Sequence, residues 1–539
     1  MSASRERKER ANNPVAQPQK KEKKKVSEGL ILAISVVLVL VAVFGTVLGI
    51  RYYQRNQTVM TIGDKELTVK EFNYFFNQTA SNFGNYASYL GIDTSKTIDK
   101  QTVGSENVSM MSMLGMDVDC LEPYKQEDGS YDITWAGYFA ELAKETAAQT
   151  WAVYQAAMDA GYVIPEEIQT AIDNEMLNVD FYGQIYGMDA DDFIEAQYGD
   201  GCDKENYEQH VRVSYIAADY ASNYEYDAAA IDAKYAETPA DFDVVTYMLY
   251  TSRASDYKTT EENAEDASEE ATEEETEDTA AADAEAEAKA KEAAEKMAEN
   301  FDIADAAVQV NADQLRSTAE TYTTEDAAAW MFEEAKAGDV KMFENADTHT
   351  YYVVKVLSND VNYQTINALQ IFIAKDEETE EEDHTGHDHA EGEGHEDEEA
   401  APTAAEKLEA VKSGLAADAS EENFRKLATD NSSNSSVDLE EAAYSYINSS
   451  ISKDAMLWAM EERKAGDYEV FETSTGTYVL YFLSNSETYR NLSVNSNLVN
   501  AWVDQLTATA VANCKFDMDA AMNGAVSLTL NNNANTETY

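Results

Sequence analysis

The chain of 539 residues carries 39 Lys and Arg against 103 Asp and Glu, which gives a formal charge of −64, and 44% of its residues are hydrophobic. The length allows about three to four domains, and the apolar share is sufficient for real cores, which excludes a wholly disordered chain. The excess of acid argues against nucleic acid as a partner, because phosphates are held by clustered Lys and Arg.

The N-terminal segment has the opposite charge. Residues 1–28 contain nine Lys and Arg, and residues 29–50 follow without a single charge. At about 1.5 Å per residue, this apolar run spans a bilayer core of roughly 30 Å. The nine basic residues outweigh Arg51 and Arg55 beyond the run, which predicts a cytoplasmic N-terminus. The sequence therefore predicts a basic cytoplasmic tail, a transmembrane signal anchor, and a single-pass cell-membrane protein whose bulk is extracytoplasmic. A long cleaved signal peptide is the alternative.

Residues 51–238 show mostly helical periodicity. Two short strands are predicted to turn at Gly63, and Thr68 with Glu71 forms a capping box that begins a helix with an aromatic face. Pro165 marks the start of a further helix. The sequence thus predicts a mainly helical domain.

The next two segments repeat each other. Around Trp330 the chain reads AWMFEEAKAGDVKMFENADTHTYYVVKVLSN, and around Trp458 it reads LWAMEERKAGDYEVFETSTGTYVLYFLSN. Each copy also begins with an apolar strand, at 244–250 and at 368–373. The repeated order of strand, helices, Gly-Asp turn and hairpin predicts two α+β modules. The predicted modules are residues 239–362 and 363–487.

Each module carries an acidic insert after its first strand. Residues 256–283 contain 13 acids and residues 376–399 contain 14, so both are predicted to be mobile loops. The second insert also contains four histidines: His384, His387, His389 and His395. Imidazoles and carboxylates at this spacing can gather Zn, Ni or Cu ions, so weak metal binding is one hypothesis and a solvated insert is the other. Of the remaining histidines, His210 is predicted at the surface and His349 at a hairpin tip, and no other feature indicates a cofactor.

The order of these segments resembles that of a known family. A membrane anchor, a helical region containing IGDKELTVKEFNYFF and GYVIPEEI, and parvulin-like modules are similar to the SurA- and PrsA-like extracytoplasmic foldases. Their parvulin-type (PpiC-like) domains are peptidyl-prolyl isomerases. The resemblance implies a chaperone domain over 51–238, completed by a helix from the C-terminal segment 488–539, and it implies unfolded secreted polypeptides as partners. The predicted fold class is therefore α+β, with a single N-terminal transmembrane helix, a helical chaperone domain and two tandem parvulin-like modules.

The resemblance also indicates candidate site positions in each module. The family usually has a His in the first strand, where this chain has Tyr247 and Gln370, and a second His near the closing strand, where it has Tyr352 and Tyr478. The loss of both His residues in both modules favours weak or lost isomerase activity. The strand residues that the resemblance places near a substrate groove are Met342, Phe343, Val470 and Phe471.

Three functions are predicted as alternatives. The first is a membrane-anchored chaperone or foldase in protein secretion that binds unfolded polypeptides without ATP, since the sequence has no nucleotide-binding motif. The second is an active peptidyl-prolyl cis-trans isomerase. The third is a structural or metal-buffering surface protein. The aromatic segment 72–76 is predicted to lie in a core, with a client-binding face as the alternative. The sequence does not indicate an oligomeric state.

Overall fold

The computed structural model describes most of the chain beyond its N-terminal segment. The described residues are 51–258, 273–376, 402–434 and 452–525, with side chains omitted for 273–280 and 523–525. The predicted tail and anchor, the four histidines of the second insert, and most of both acidic inserts lie outside these ranges. The chain divides into two compact units, a helical unit (described residues 51–224 and 502–525) and a tandem unit (225–501).

The helical unit begins with the predicted hairpin. Its elements up to residue 222 are β1 (Thr58–Ile62), β2 (Lys65–Thr68), α1 (Val69–Asn82), α2 (Ser105–Met113), α3 (Trp135–Asp159), α4 (Glu166–Tyr186), α5 (Ala190–Tyr198) and α6 (Lys204–Ser222). The capping box before α1 is confirmed, since the backbone N–H of Thr68 donates to the Glu71 carboxylate at 2.9 Å. Pro165 directly precedes α4, as predicted.

The core of the helical unit lies between α1 and α3. Phe72 and Phe76 of α1 and Phe139 of α3 are fully buried, and Trp135 is 2% exposed. The aromatic face of α1 is therefore core, which confirms the first of the two alternatives for segment 72–76. Burial of such a side chain contributes about 1.5–3 kcal/mol relative to leaving it exposed.

The first module of the tandem unit is an antiparallel sheet with helices on both faces. Its elements follow helix α7 (Ala228–Glu237) and are β3 (Val244–Arg253), α8 (Glu273–Glu299), β4 (Gln309–Leu315), α9 (Arg316–Tyr322), α10 (Glu325–Glu333), β5 (Val340–Asn345) and β6 (Thr350–Ser358). The strand order is β4-β3-β6-β5. Ala290 and Ala294 of α8 pack on one face, and Ala319 of α9 with Trp330 of α10 pack on the other. Helix α8 begins inside the first acidic insert, where only a loop was predicted.

The second module has the same design with three strands. Its elements are β7 (Gln364–Ala374), α11 (Ala404–Ala417), α12 (Glu421–Asn431), α13 (Lys453–Met460), β8 (Tyr468–Glu472) and β9 (Gly476–Thr488). The strand order is β7-β9-β8. Val411 and Phe424, from α11 and α12, are fully buried against one face, and Trp458 of α13 packs on the other.

The Gly-Asp turn is the same in both modules. Gly338 and Gly466 have φ angles of +92° and +95°, a region that favours glycine. In each turn the aspartate carboxylate accepts a hydrogen bond from a lysine backbone N–H, at 2.9 Å in module one and 2.8 Å in module two. The repeat found in the sequence is therefore also present in the backbone geometry.

The C-terminal elements follow the second module. They are α14 (Tyr489–Asn513), β10 (Lys515–Phe516) and α15 (Met518–Ala525). Within the tandem unit, Val494 of α14 is buried against Ile231 and Phe242. Within the helical unit, β10 pairs with β1, and Ala520 lies fully buried in the main core. The end of the chain thus completes the sheet and core of the helical unit.

The predicted transmembrane helix and single-pass location require correction. Across 51–258, 273–376, 402–434 and 452–525, no helix is long and apolar enough to cross a membrane. Even the longest described helices, α3, α8 and α14, have polar or charged residues along their sequences, which are costly in a hydrocarbon core. The fold is α+β, without a membrane span in the described ranges.

Candidate functional site

Tyr247, the first candidate catalytic residue of module one, lies in the core. Its side chain is fully buried among residues of β3, α9 and α10, including Trp330 and Met331. Its hydroxyl has no hydrogen-bond partner among the described residues, and burial raises the pKa of this phenol. In this arrangement a substrate has no access to the hydroxyl.

Tyr352, the second candidate, lies on the same sheet face as Tyr247 but is too far along the strand to be its neighbour. Tyr247 is opposite Val356, so Tyr352 lies four residues further along β6, or roughly 13 Å at about 3.3 Å per residue. Phe343, which pairs with Tyr352, packs on Trp330 with 5.6 Å between ring centroids. Leu249 and Val354, which pair between the two tyrosine positions, are buried in the same cluster, so side chains fill the sheet face between Tyr247 and Tyr352.

The strand register also changes which residues of the two modules correspond. Tyr247 lies opposite Val356, whose counterpart in the repeat is Phe482, and Phe482 lies opposite Ala368. The register shifts immediately before Tyr247 and before Ala368, because the partner strands β6 and β9 each contain one extra residue there, Leu357 and Leu483. Tyr247 therefore corresponds to Ala368, two residues before Gln370.

The candidates of module two are less enclosed. Gln370 and Tyr478 are half-buried and lie on one face of the β7–β9 pair, where Gln370 is opposite Leu480. The ring of Tyr478 packs on Phe372 with 4.6 Å between centroids. These positions are two residues apart in register and are diagonal neighbours on the sheet.

The predicted groove residues do not share one surface. Phe343 and Phe471 belong to the clusters under the tryptophan helices, whereas Met342 and Val470 belong to the clusters on the opposite faces. Adjacent strand residues point to opposite sides of a sheet, so each predicted pair is divided between two cores.

Asp313 is an enclosed acid at a cleft in the tandem unit. It has a φ of +48°, and its carboxylate accepts a hydrogen bond from the Tyr363 hydroxyl at 2.9 Å. Its backbone N–H donates to the Thr246 hydroxyl at 3.0 Å. Burial raises the pKa of Asp313 to about 6, although the hydrogen bonds from Tyr363 and Thr246 oppose the shift. Tyr363 and Thr246 both line a cleft of about 600 Å³.

The structure places the two described histidines differently. His349 lies between β5 and β6 with a φ of +47°, which confirms the predicted hairpin tip. His210 was predicted at the surface but lies largely enclosed, with its ring stacked on Tyr74 at 5.2 Å. The described residues contain no group of three or more His, Cys, Asp or Glu placed to hold a metal ion. The candidate metal ligands His384, His387, His389 and His395 lie outside those residues.

Helix α4 is apolar on two opposite sides. Ile172 and Val179 are 0% and 3% exposed and pack in the helical unit. Nine residues after Ile172, which is two and a half helical turns, Phe181 is 58% exposed. Leu177 and Ile185, four residues to either side of it, are 63% and 59% exposed. We call Leu177, Phe181 and Ile185 the apolar stripe.

The surroundings of the apolar stripe are acidic. Helix α4 contains five Asp and Glu residues and no Lys or Arg. Asp173, four residues before Leu177, is exposed, and Asp180, directly before Phe181, is paired with Lys204 at 2.6 Å. The stripe ends beside the C-terminus of α4, where the helix dipole also favours positive charge. The surface is therefore suited to an apolar partner that carries basic residues.

The apolar stripe was missed in the sequence, although its signal is present. The spacing of Leu177, Phe181 and Ile185 is i, i+4 and i+8, which places them on one side of a helix. Ile172 and Met176 form the other apolar side of the helix, which is the buried one. A second apolar side on one amphipathic helix is the signal that identifies the stripe.

Comparison with known proteins gives no family for the chain. No family model matches the sequence, and no curated protein matches it. The resemblance to SurA- and PrsA-like foldases therefore stays a prediction.

Proposed function

We propose that this protein is an ATP-independent chaperone that holds unfolded polypeptides on the apolar stripe of α4. The observation that supports this proposal is the exposure of three large apolar side chains in one row, on the side of α4 opposite its buried side. Scattered exposed apolar residues are normal on protein surfaces, but a continuous row is typical of an interaction surface.

The energetics favour transient capture of many sequences. Full burial of a Leu, Ile or Phe side chain contributes about 1.5–3 kcal/mol, so three side chains can hold an apolar segment without a shaped pocket. The loss of translational freedom and the ordering of the client oppose this gain. The expected result is weak, reversible binding, which suits a chaperone that releases its clients without ATP.

The charge of the protein defines the preferred client. The chain has a formal charge of −64, and α4 itself has no basic residue. Apolar segments flanked by Lys or Arg should therefore bind faster and more tightly than segments flanked by Asp or Glu. This preference should weaken as salt is added, because exposed charges are screened.

An aggregation assay tests the proposal. A chemically denatured test protein is diluted into buffer with the wild-type chain or with the variant Leu177→Gln/Phe181→Gln/Ile185→Gln, and light scattering is followed. Gln preserves helix propensity and removes apolar area. The variant should require at least tenfold more protein to halve the scattering.

A matched control removes the same number of exposed apolar side chains away from the stripe. Tyr89, Met113 and Val163 are 74%, 82% and 83% exposed and do not form a row. The variant Tyr89→Gln/Met113→Gln/Val163→Gln should protect within twofold of the wild type. Protection by the stripe variant equal to that of the wild type would contradict the proposal. So would the finding that the stripe substitutions only dissociate an oligomer of the chain.

A further inference from the structure

A second concave surface lies in the helical unit on the side of α4 that faces α1 and α6. It is an open cleft of about 380 Å³, within the range of ligand-binding sites. Its deeper wall contains Asn77, Glu175, Tyr207 and His210. Its rim contains the exposed amide side chains of Gln78, Asn82 and Gln197.

His210 is the most unusual residue in this cleft. Its ring is stacked on Tyr74 and meets the Phe75 ring edge-on at 4.7 Å. Burial lowers the pKa of His210 to about 4, so the imidazole is neutral at pH 7. Neither ring nitrogen forms a hydrogen bond with another described residue. A neutral imidazole has one N–H donor and one nitrogen acceptor, and His210 lines both this cleft and a small cavity beside Phe75 and Trp151, so it can offer the cleft a donor or an acceptor.

The neighbours of His210 supply further acceptors. Both amide hydrogens of Asn77 are used on the carbonyl oxygens of Asn73 and Tyr198, at 3.0 and 2.7 Å, so its own oxygen is left to accept. One oxygen of Glu175 accepts from Tyr207, and its second oxygen has capacity for another donor. Tyr198 donates to Tyr207 at 3.4 Å, which orients the hydroxyl groups toward Glu175.

The chemistry of the lining restricts the class of ligand. Anions are disfavoured, because Glu175 is acidic and His210 is neutral at pH 7. A simple cation would leave the amide and imidazole donors without acceptors. The backbone of an extended peptide offers one N–H and one C=O per residue, which matches a lining that contains both donors and acceptors.

We propose that this cleft binds a short, uncharged and extended stretch of polypeptide backbone, with His210 and Asn77 as its central hydrogen-bonding residues. This inference rests on the proposed chaperone function and adds a site that recognises main chain, whereas the apolar stripe recognises side chains. A client would then be held by two different chemistries within the helical unit.

The test uses the full chain and a peptide without apolar side chains. A capped Gly-Ser tetrapeptide is titrated into protein labelled with ¹⁵N-histidine, and the imidazole signals of His210 are followed by NMR. Comparison with His210→Gln assigns these signals. The peptide should shift them saturably, whereas a capped tetrapeptide with two Glu residues should bind at least tenfold more weakly.

A pair of variants distinguishes occupancy of the cleft from an indirect effect. Ser214 lines the cleft, whereas Ser222 is exposed further along the same helix, α6. Ser214→Leu should weaken binding of the Gly-Ser peptide at least tenfold, and Ser222→Leu should leave it unchanged. If Ser214→Leu does not fold, the exposed rim variant Asn82→Ala/Gln197→Ala replaces it, with an expected weakening of at least threefold.

The proposal fails if the peptide leaves the His210 signals unchanged at 10 mM, or if folded Ser214→Leu binds it as the wild type does. A neutral disaccharide that shifts His210 when the peptide does not would assign the cleft to another ligand class and would also overturn the proposal. The stripe variant should bind the Gly-Ser peptide normally. If the stripe variant loses protection but the wild type does not bind the Gly-Ser peptide, the chaperone proposal is still supported. Only the proposal that the cleft binds peptide backbone is then excluded.

Discussion

The tandem unit buries the apolar faces of its sheets, whereas helix α4 leaves one of its two apolar sides exposed. In each module, helices cover both faces of the sheet, and Tyr247, Val354 and Leu480 are fully buried. In α4 only one of the two apolar sides is covered, and Phe181 on the other side is 58% exposed. Covered apolar surface stabilises the fold, whereas uncovered surface is available to a partner. This difference supports the proposal that clients bind to the helical unit, where the sequence resemblance implies a chaperone domain, rather than at the candidate site positions of the modules.

The two sides of α4 should give the largest contrast in stability. Ile172→Ala should lower the free energy of unfolding by about 2–4 kcal/mol, because it opens a cavity in a packed cluster. Leu177→Ala, five residues later on the exposed side, should change it by less than about 0.5 kcal/mol. Urea denaturation measures both. Equal losses would show that the stripe is covered in solution, as the sheet faces of the modules are.

The enclosure of Asp313 in the tandem unit should make stability depend on pH. The pKa of Asp313 in the folded protein, about 6, lies above its ordinary value of 3.8, so folding favours the protonated carboxyl. This stabilisation is complete below pH 4 and is lost as the pH rises through 6. Between pH 5 and pH 8 it decreases by about 1.4 kcal/mol, since one pKa unit corresponds to about 1.36 kcal/mol.

Asp313→Asn should remove this part of the pH dependence. Relative to the wild type, the unfolding free energy of the variant should therefore rise by about 1.4 kcal/mol between pH 5 and pH 8. Thr246 and Tyr363, the polar partners of the carboxylate, are retained. Glu462→Gln, at an exposed acid of the same unit, is the control and should show no comparable shift. A difference that is constant with pH would contradict the enclosure of Asp313.

Removal of the buried Tyr247 hydroxyl should have a smaller effect on stability, and this effect should be a gain. Tyr247→Phe should raise the free energy of unfolding by about 1 kcal/mol, because it removes a buried polar group without a partner among the described residues. Tyr481 is also buried, but its hydroxyl donates to the Ala419 carbonyl at 2.8 Å. Tyr481→Phe should therefore lower stability by about 1 kcal/mol. A loss of stability in Tyr247→Phe would show that the Tyr247 hydroxyl has a hydrogen-bond partner. The helices would then cover this sheet face of module one less completely.

Local patterns in the sequence predicted much of the fold. The capping box at Thr68 and Glu71, the helix after Pro165 and the repeated Gly-Asp turns depend on neighbouring residues, and the structure confirms each of them. The acidic start of α8 was missed, because composition alone suggested a solvated loop. The predicted membrane span, which rested on an uncharged apolar run and its flanking basic residues, has no counterpart in the described ranges.

The candidate sites were harder to predict because they depend on tertiary packing. Strand pairing decides that Tyr247 corresponds to Ala368, and an alignment of the two copies by sequence does not show the shift. The enclosure of His210 results from contacts with α1, which is remote in sequence. For the stripe, periodicity shows that α4 has two apolar sides, but only the folded chain shows which side is covered.

Site-specific photo-crosslinking can show where a client binds on the protein. A benzoylphenylalanine is placed at Phe181 in the stripe or at Tyr89, an exposed aromatic position outside it, and each protein is irradiated with a denatured client. Position 181 should give at least tenfold more crosslinked client than position 89, with less product from clients whose apolar segments are flanked by acids. Equal yields from the two positions, in proteins of equal stability, would contradict the claim that the stripe of α4 holds the client.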